Sequence, residues 1–204
     1  MAREKDESKR AAILAAAGRL FAERGFHGTS VADMAKETDL PVGSLYTYFE
    51  NKEAVLSAVI EEGWSDFLAT MKETLEGATE PRERLSLLIG RVLPELFEDV
   101  DLITILLAEA GRGGLDGVSV GLDAKLESLA SVIGEIIAPL VMERGGGFVF
   151  PPRQARAAIA IFFLGSLYTV RLSRRAGLAI SEAELLDFIR LSIENSFGIK
   201  LQTS

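Results

Sequence analysis

The sequence has no cysteine and a single histidine, His27, among its 204 residues. Without cysteine there are no disulfides, no thiol catalysis and no thiolate zinc site, and a cytoplasmic setting is the natural expectation. One histidine leaves too little to build a histidine metal site or a Ser-His triad within one chain. No strand-like alternation exceeds four residues, and there is no repeat or low-complexity segment. Long hydrophobic runs are missing as well. The longest uncharged one, Ala157 to Val170 between Arg156 and Arg171, has 14 residues, whereas a membrane helix needs roughly 20. It reads as a buried helix or a subunit interface, and no membrane partner is expected. The opening residues, MAREKDESKR, lack the apolar centre of a signal peptide. There is no Walker A sequence. The glycine cluster GRGGLDG, 111–117, fails as a dinucleotide loop, because Asp116 stands where the last glycine belongs and no strand precedes it.

What is present is a core-forming composition, 48% hydrophobic, with a formal net charge of −8. The charge is unevenly placed. Residues 1–52 hold 8 Lys/Arg and 8 Asp/Glu, so residues 53–204, with the other 14 and 22, carry the whole excess. A neutral head on an acidic body lets only the head approach a polyanion, since the body is repelled over about 8 Å in physiological salt.

Nearly every segment has helical periodicity. Ser8 to Arg24 aligns Leu14, Ala15 and Phe21 with neighbouring alanines and ends at Gly25, a natural C′ glycine. Ser30 with Asp33 fits a capping box opening a short helix, Val31 to about Thr38. Pro41 then favours a first helical turn, so two short helices follow one another across a tight turn, the order of a helix-turn-helix. Asn51 caps a helix running to about Gly77, and Pro81 opens another to about Glu98. Leu102–Ala110 reads as a short buried helix flanked by Glu109 and Arg112, which are spaced to pair on its surface. A long helix follows from Val118 or Asp123 to Arg144, with Pro139 expected to kink it. Beyond the loop 145–152 come Arg153–Ala176 and Glu182–Phe197, the last opened by a capping box at Ser181 and Glu184. The expected fold is all-α, with about nine helices.

One stretch, PVGSLYTYFENK at 41–52, is unlike the rest. On a helix Leu45 and Phe49 share one face as apolar anchors. Ser44, Tyr46, Thr47 and Tyr48 then present four hydroxyls, too many for a core, with Lys52 just beyond. Such a surface is suited to hydrogen-bonding a partner.

The combination FAERGFHGTSVADMA and LPVGSLYTYFENKEAV, in that order and spacing, makes residues 10–59 resemble the DNA-binding region of the tetracycline-repressor (TetR) family of bacterial transcription regulators. The resemblance implies a three-helix DNA-binding domain at 1–50, and a larger ligand-binding and dimerisation domain at 51–204. It makes Pro41 to Tyr48 the recognition helix. Tyr46 and Lys52 match phosphate-holding positions. So does Thr29, with Ser30 beside it at the helix N-terminus. Val42, Gly43, Ser44, Thr47 and Tyr48 match positions facing bases or sugars. Two departures stand out: Asp39 replaces the usual turn glycine, and no Arg or Lys precedes Lys52 in the recognition helix, which removes bidentate guanine reading from it.

In the C-terminal part the resemblance implies a cavity for a small apolar effector, and Trp64, Phe67, Met71, Phe97, Leu106 and Phe162 are the candidates to line it. The last two helices are expected to form a four-helix bundle with those of a second copy, through Phe163, Leu167, Leu185, Phe188 and Ile189. The function so implied is a ligand-responsive, homodimeric regulator that binds double-stranded operator DNA, most simply a repressor, with no cofactor, metal or catalytic residue. An all-α enzyme or carrier for an apolar molecule is the alternative, against which the single histidine and the lack of cysteine weigh.

Overall fold

The structure, a computed structural model, describes residues 2–98, 105, 116–143 and 152–201. The helices are α1 (Ala2–Arg24), α2 (Val31–Glu37), α3 (Val42–Leu45), α4 (Lys52–Leu75), α5 (Pro81–Leu87), a π-helical turn (Leu88–Val92), α6 (Leu93–Glu98), α7 (Asp116–Glu143), α8 (Pro152–Ala176) and α9 (Glu182–Phe197). The fold is all-α, with no strand among the described residues. The expected helix Leu102–Ala110, with Leu106, Glu109 and Arg112, lies outside the described residues apart from Ile105. Residues 111–115 and 145–151 lie outside them too.

The chain forms two compact units, residues 1–66 with 100–118, and residues 67–99 with 119–204. The first is built on α1, whose Ile13, Leu14, Ala17, Leu20 and Phe21 are buried. Met34 and Ala35 of α2, Leu45 and Phe49, and Val55, Leu56 and Ile60 of α4 close over that stripe, with Ile105. α1 begins at Ala2, six residues before the expected start. The added turns are strongly charged and carry no apolar stripe, but they consist largely of good helix formers.

In the second unit the segment opened by Pro81 runs to Glu98 as expected, but not as a uniform helix. The π-helical turn at 88–92 ends two residues before Pro94. Proline cannot donate to a carbonyl four residues back and its ring crowds that carbonyl; one wider turn absorbs both problems. This turn packs on α9. α7 buries Leu126, Leu129, Ile136 and Leu140 and continues through Pro139. Phe67 meets Phe163 of α8 with ring centroids 6.0 Å apart. α9 has the expected capping box and ends at Gly198, whose φ of 56° is left-handed. The chain then turns back, and buried Glu194 accepts from the Leu201 amide at 2.8 Å and from the Lys200 ammonium at 3.0 Å. Among the described residues no helix is long and apolar enough to cross a membrane.

Candidate nucleic-acid interface

The surface of interest is set by two turns. Between α1 and α2, Gly28 packs so tightly that a Cβ on it would lie 2.3 Å from the Arg24 carbonyl oxygen, so no other residue fits without moving backbone. That approach fixes Thr29, which is buried, with its hydroxyl donating to the carbonyls of Gly25 (2.9 Å) and Leu20 (3.1 Å). Ser30 caps α2 in a reciprocal box with Asp33. Donation from the Ser30 hydroxyl and amide, more than the nearby Arg24, lowers the Asp33 pKa below the usual carboxylate value.

Between α2 and α3 the chain reverses at Asp39, with φ 53°. The Leu40 amide donates to Ala35 at 3.0 Å and the Asp39 amide to Lys36 at 3.4 Å, the two bonds of a Schellman ending with Asp in the place glycine commonly takes. Regular helix in α3 spans only Val42–Leu45, shorter than the expected Pro41–Tyr48. Residues 46–48 continue as a tighter turn, in which Thr47 bonds back to Ser44 and Tyr48 to Leu45. The anchors fall as expected: Leu45 and Phe49 are buried, and Arg10 of α1 lies over the Phe49 ring at 5.5 Å while pairing with Glu62.

Raised on those anchors, Val42 is 41% and Tyr46 55% exposed. Thr47 is exposed, with its hydroxyl turned onto the Ser44 carbonyl at 2.6 Å, and Ser44 is half-buried. A Cβ on Gly43 would meet nothing within 4 Å, so its backbone is open to close approach. Beside Tyr46 is a shallow depression of about 590 Å³ lined by His27, Gly28, Thr29, Ser30, Val31, Asp33, Tyr46, Glu50, Asn51 and Lys52. The residues expected to hold phosphate therefore do converge.

Two of them, Lys52 and Thr29, have their polar groups engaged within the protein, as does Tyr48, which was expected to face bases or sugars. The Lys52 ammonium donates to the carbonyls of Phe26 (2.8 Å) and Thr29 (2.9 Å) and sits 4.2 Å from the centre of the Phe26 ring. The Thr29 hydroxyl is turned inward, as described. Tyr48 packs against the core and donates to Asp6 of α1 at 2.6 Å. That bond, chiefly, raises the phenol's pKa. The sequence pattern carries no sign of Asp6 in this role, because its contact with Tyr48, 42 residues away, depends on where α1 lies relative to α3.

The other expected site residues that the structure describes fall at both buried and exposed positions. Phe163, Leu167 and Ile189, expected between subunits, are buried within the chain, and Leu185 is half-buried. Of that set only Phe188 is exposed, at 60%. Phe162, expected to line a cavity, is exposed beside Ile161 and Tyr168 on α8. Phe97 and Met71 are buried in the second unit and Trp64 in the first, while Phe67 is half-buried. Among the described residues no group of three or more His, Asp or Glu could hold a metal ion.

Two short helices across a left-handed turn, the second presenting an uncharged hydroxyl-rich face, define a helix-turn-helix head. Residues 13–59 match the family model described as bacterial regulatory proteins, tetR family. Over this region the chain is similar to that family. It is 30% identical over 104 residues to the fatty acid metabolism regulator protein of Bacillus subtilis, covering 51% of this chain and 54% of that one. To the HTH-type transcriptional repressor DhaR of Mycobacterium sp. strain GP1 it is 41% identical over 66 residues, 32% and 33% of the two chains. The matched segments thus span between a third and about half of these relatives. Over the whole fold it is similar to the transcriptional regulator FadR from Bacillus subtilis, solved in complex with stearoyl-CoA, with TM-score 0.69, 21% identity and coverage of 92% and 94%.

Proposed function

We propose that the chain is a cytoplasmic, homodimeric transcription regulator without catalytic activity, a repressor that leaves a near-palindromic operator when a small apolar molecule binds the domain at 51–204. The observation that carries this reading is the exposed face of Val42, Gly43, Tyr46 and Thr47, raised on buried Leu45 and Phe49. It supplies hydroxyls and methyls, which suit phosphates, amide or carbonyl base edges and thymine methyl groups. The amides of Val31 and Ala32, in the first turn of α2, have no acceptor within that helix and can meet a phosphate above the depression.

A second copy would cover the exposed apolar side chains of α8 and α9: Ile161, Phe162, Tyr168, Phe188 and Leu191. On α8 Ile161 and Tyr168 are seven apart, and on α9 Phe188 and Leu191 are three apart, so each helix offers one stripe. The likeness to FadR makes a long-chain acyl-CoA, whose acyl chain would be the apolar part, the first effector to try. α4 begins at Lys52 beside the head and contributes Phe67 and Met71 further along, so a ligand that selects one tilt of α4 would alter the separation of two heads. A 100-fold loss of operator affinity needs a coupling of only ~2.7 kcal/mol, and operator must weaken the ligand equally.

Gel-shift of the protein on the DNA upstream of its own gene, with and without stearoyl-CoA, tests the reading. A sequence-specific shift that the acyl-CoA reverses is expected. No specific shift would overturn the DNA assignment, and a shift indifferent to acyl-CoA would overturn that effector class.

A further inference from the structure

The depression beside Tyr46 faces a polyanion in the reading above, yet its evident cation is spent. Lys52 points two charge-assisted bonds at backbone carbonyls and lies over the Phe26 ring. The other charged groups near it do not replace that charge. Arg24, at the end of α1, is 3.7 Å from the Asp33 carboxylate of α2, and Glu50 adds a negative charge on the α4 side. His27 is the remaining basic side chain on the rim. Its ring is exposed and stands edge-on to Phe26, with centroids 5.3 Å apart and planes at 75°. The close packing of Gly28 on the Arg24 carbonyl fixes the backbone that carries it.

The geometry points to His27 as the cationic contact to the DNA backbone in this depression, so that operator affinity is set by a proton. This rests on the DNA-binding reading and adds to it a residue and a dependence on conditions. Imidazole is the side chain that gains a positive charge between pH 8 and pH 6. A phosphate set against it favours the protonated ring, so DNA binding takes up a proton there. The sign follows: affinity rises as pH falls through this window. The other charged or titratable groups around His27 are Asp33, Glu50, Lys52, Arg24 and Tyr46. As His27 is the only histidine, no second imidazole can supply the effect.

The test is fluorescence anisotropy on the upstream DNA at pH 6 and pH 8, at one ionic strength, for the wild type, His27→Gln and His27→Arg. The wild type should bind on the order of fivefold more tightly at pH 6. His27→Gln should show little difference between the two, and His27→Arg should bind tightly at both. Equal wild-type affinity at the two pH values overturns the proposal, as does a pH dependence that survives in His27→Gln. Loss of specific binding at every pH in the wild type would instead defeat the DNA-binding reading itself, which separates the two failures.

Discussion

Replacing Lys52 by methionine keeps the aliphatic stem and removes the ammonium. In the free protein that deletes two charge-assisted hydrogen bonds, of 2.8 and 2.9 Å, and a cation–π contact at 4.2 Å. Bonds to charged groups are worth about 1.5–3 kcal/mol each in favourable settings, and the ring contact about 0.5–1 kcal/mol. The site is only half-buried, so water can reach the two carbonyls in the variant, and the net loss comes to about 2 kcal/mol. Trp64, the only tryptophan, is buried in the same compact unit as Lys52 and reports its unfolding by fluorescence. With a urea dependence of about 2 kcal/mol/M, the midpoint should fall by about 1 M. A lysine that touched only DNA would leave the free protein within about 0.5 kcal/mol of the wild type. An unmoved midpoint in Lys52→Met would refute the internal role and return the ammonium to the phosphate.

Tyr46→Phe should leave stability unchanged, because the hydroxyl is at an exposed position, and weaken operator binding roughly 5- to 10-fold through one lost hydrogen bond; unaltered affinity would remove Tyr46 from the interface. Phe188→Glu should give monomers in sedimentation at concentrations where the wild type is dimeric, since a charge would have to be buried between α9 helices; a fully dimeric variant would rule out this face. Glu194 has its pKa lowered first by the Leu201 amide and then by Lys200. Its contribution to stability is therefore present above the ordinary carboxylate range and lost as pH falls through the lowered value. Acid titration below about pH 4 should weaken the wild type more than Glu194→Gln, and parallel acid unfolding of the two would contradict this clasp.

Much of the fold was legible because its signals are local. Capping boxes at Ser30 and Ser181, the glycine after α1 and the anchor pair Leu45 and Phe49 each need only a few neighbouring residues to act, and each is found where the sequence places it. Asp39 likewise adopts the left-handed turn that the helix-turn-helix requires. What escaped depends on distant partners. Lys52 and Thr29 look like free polar groups in sequence, but the return of α4 beside the α1–α2 turn supplies carbonyls for one, and the end of α1 supplies them for the other. On α8, periodicity finds an apolar helix without telling which side faces its own unit. Phe163 and Leu167 turn inward and Ile161, Phe162 and Tyr168 outward, and no residue type distinguishes the two sets. The π-helical turn before Pro94 was hidden for another reason, since a proline allows either a break or a bulge.

The central claim, a dimer reading operator DNA through two helix-turn-helix heads, is tested most directly by footprinting the wild-type protein on its own upstream region. Two protected half-sites related by a near-palindrome are expected, with centres one helical turn, roughly 34–36 Å, or a multiple of it apart. Val42→Ala should relax sequence preference within each half-site while keeping the spacing. Protection without sequence preference, or of a single half-site, would contradict the account.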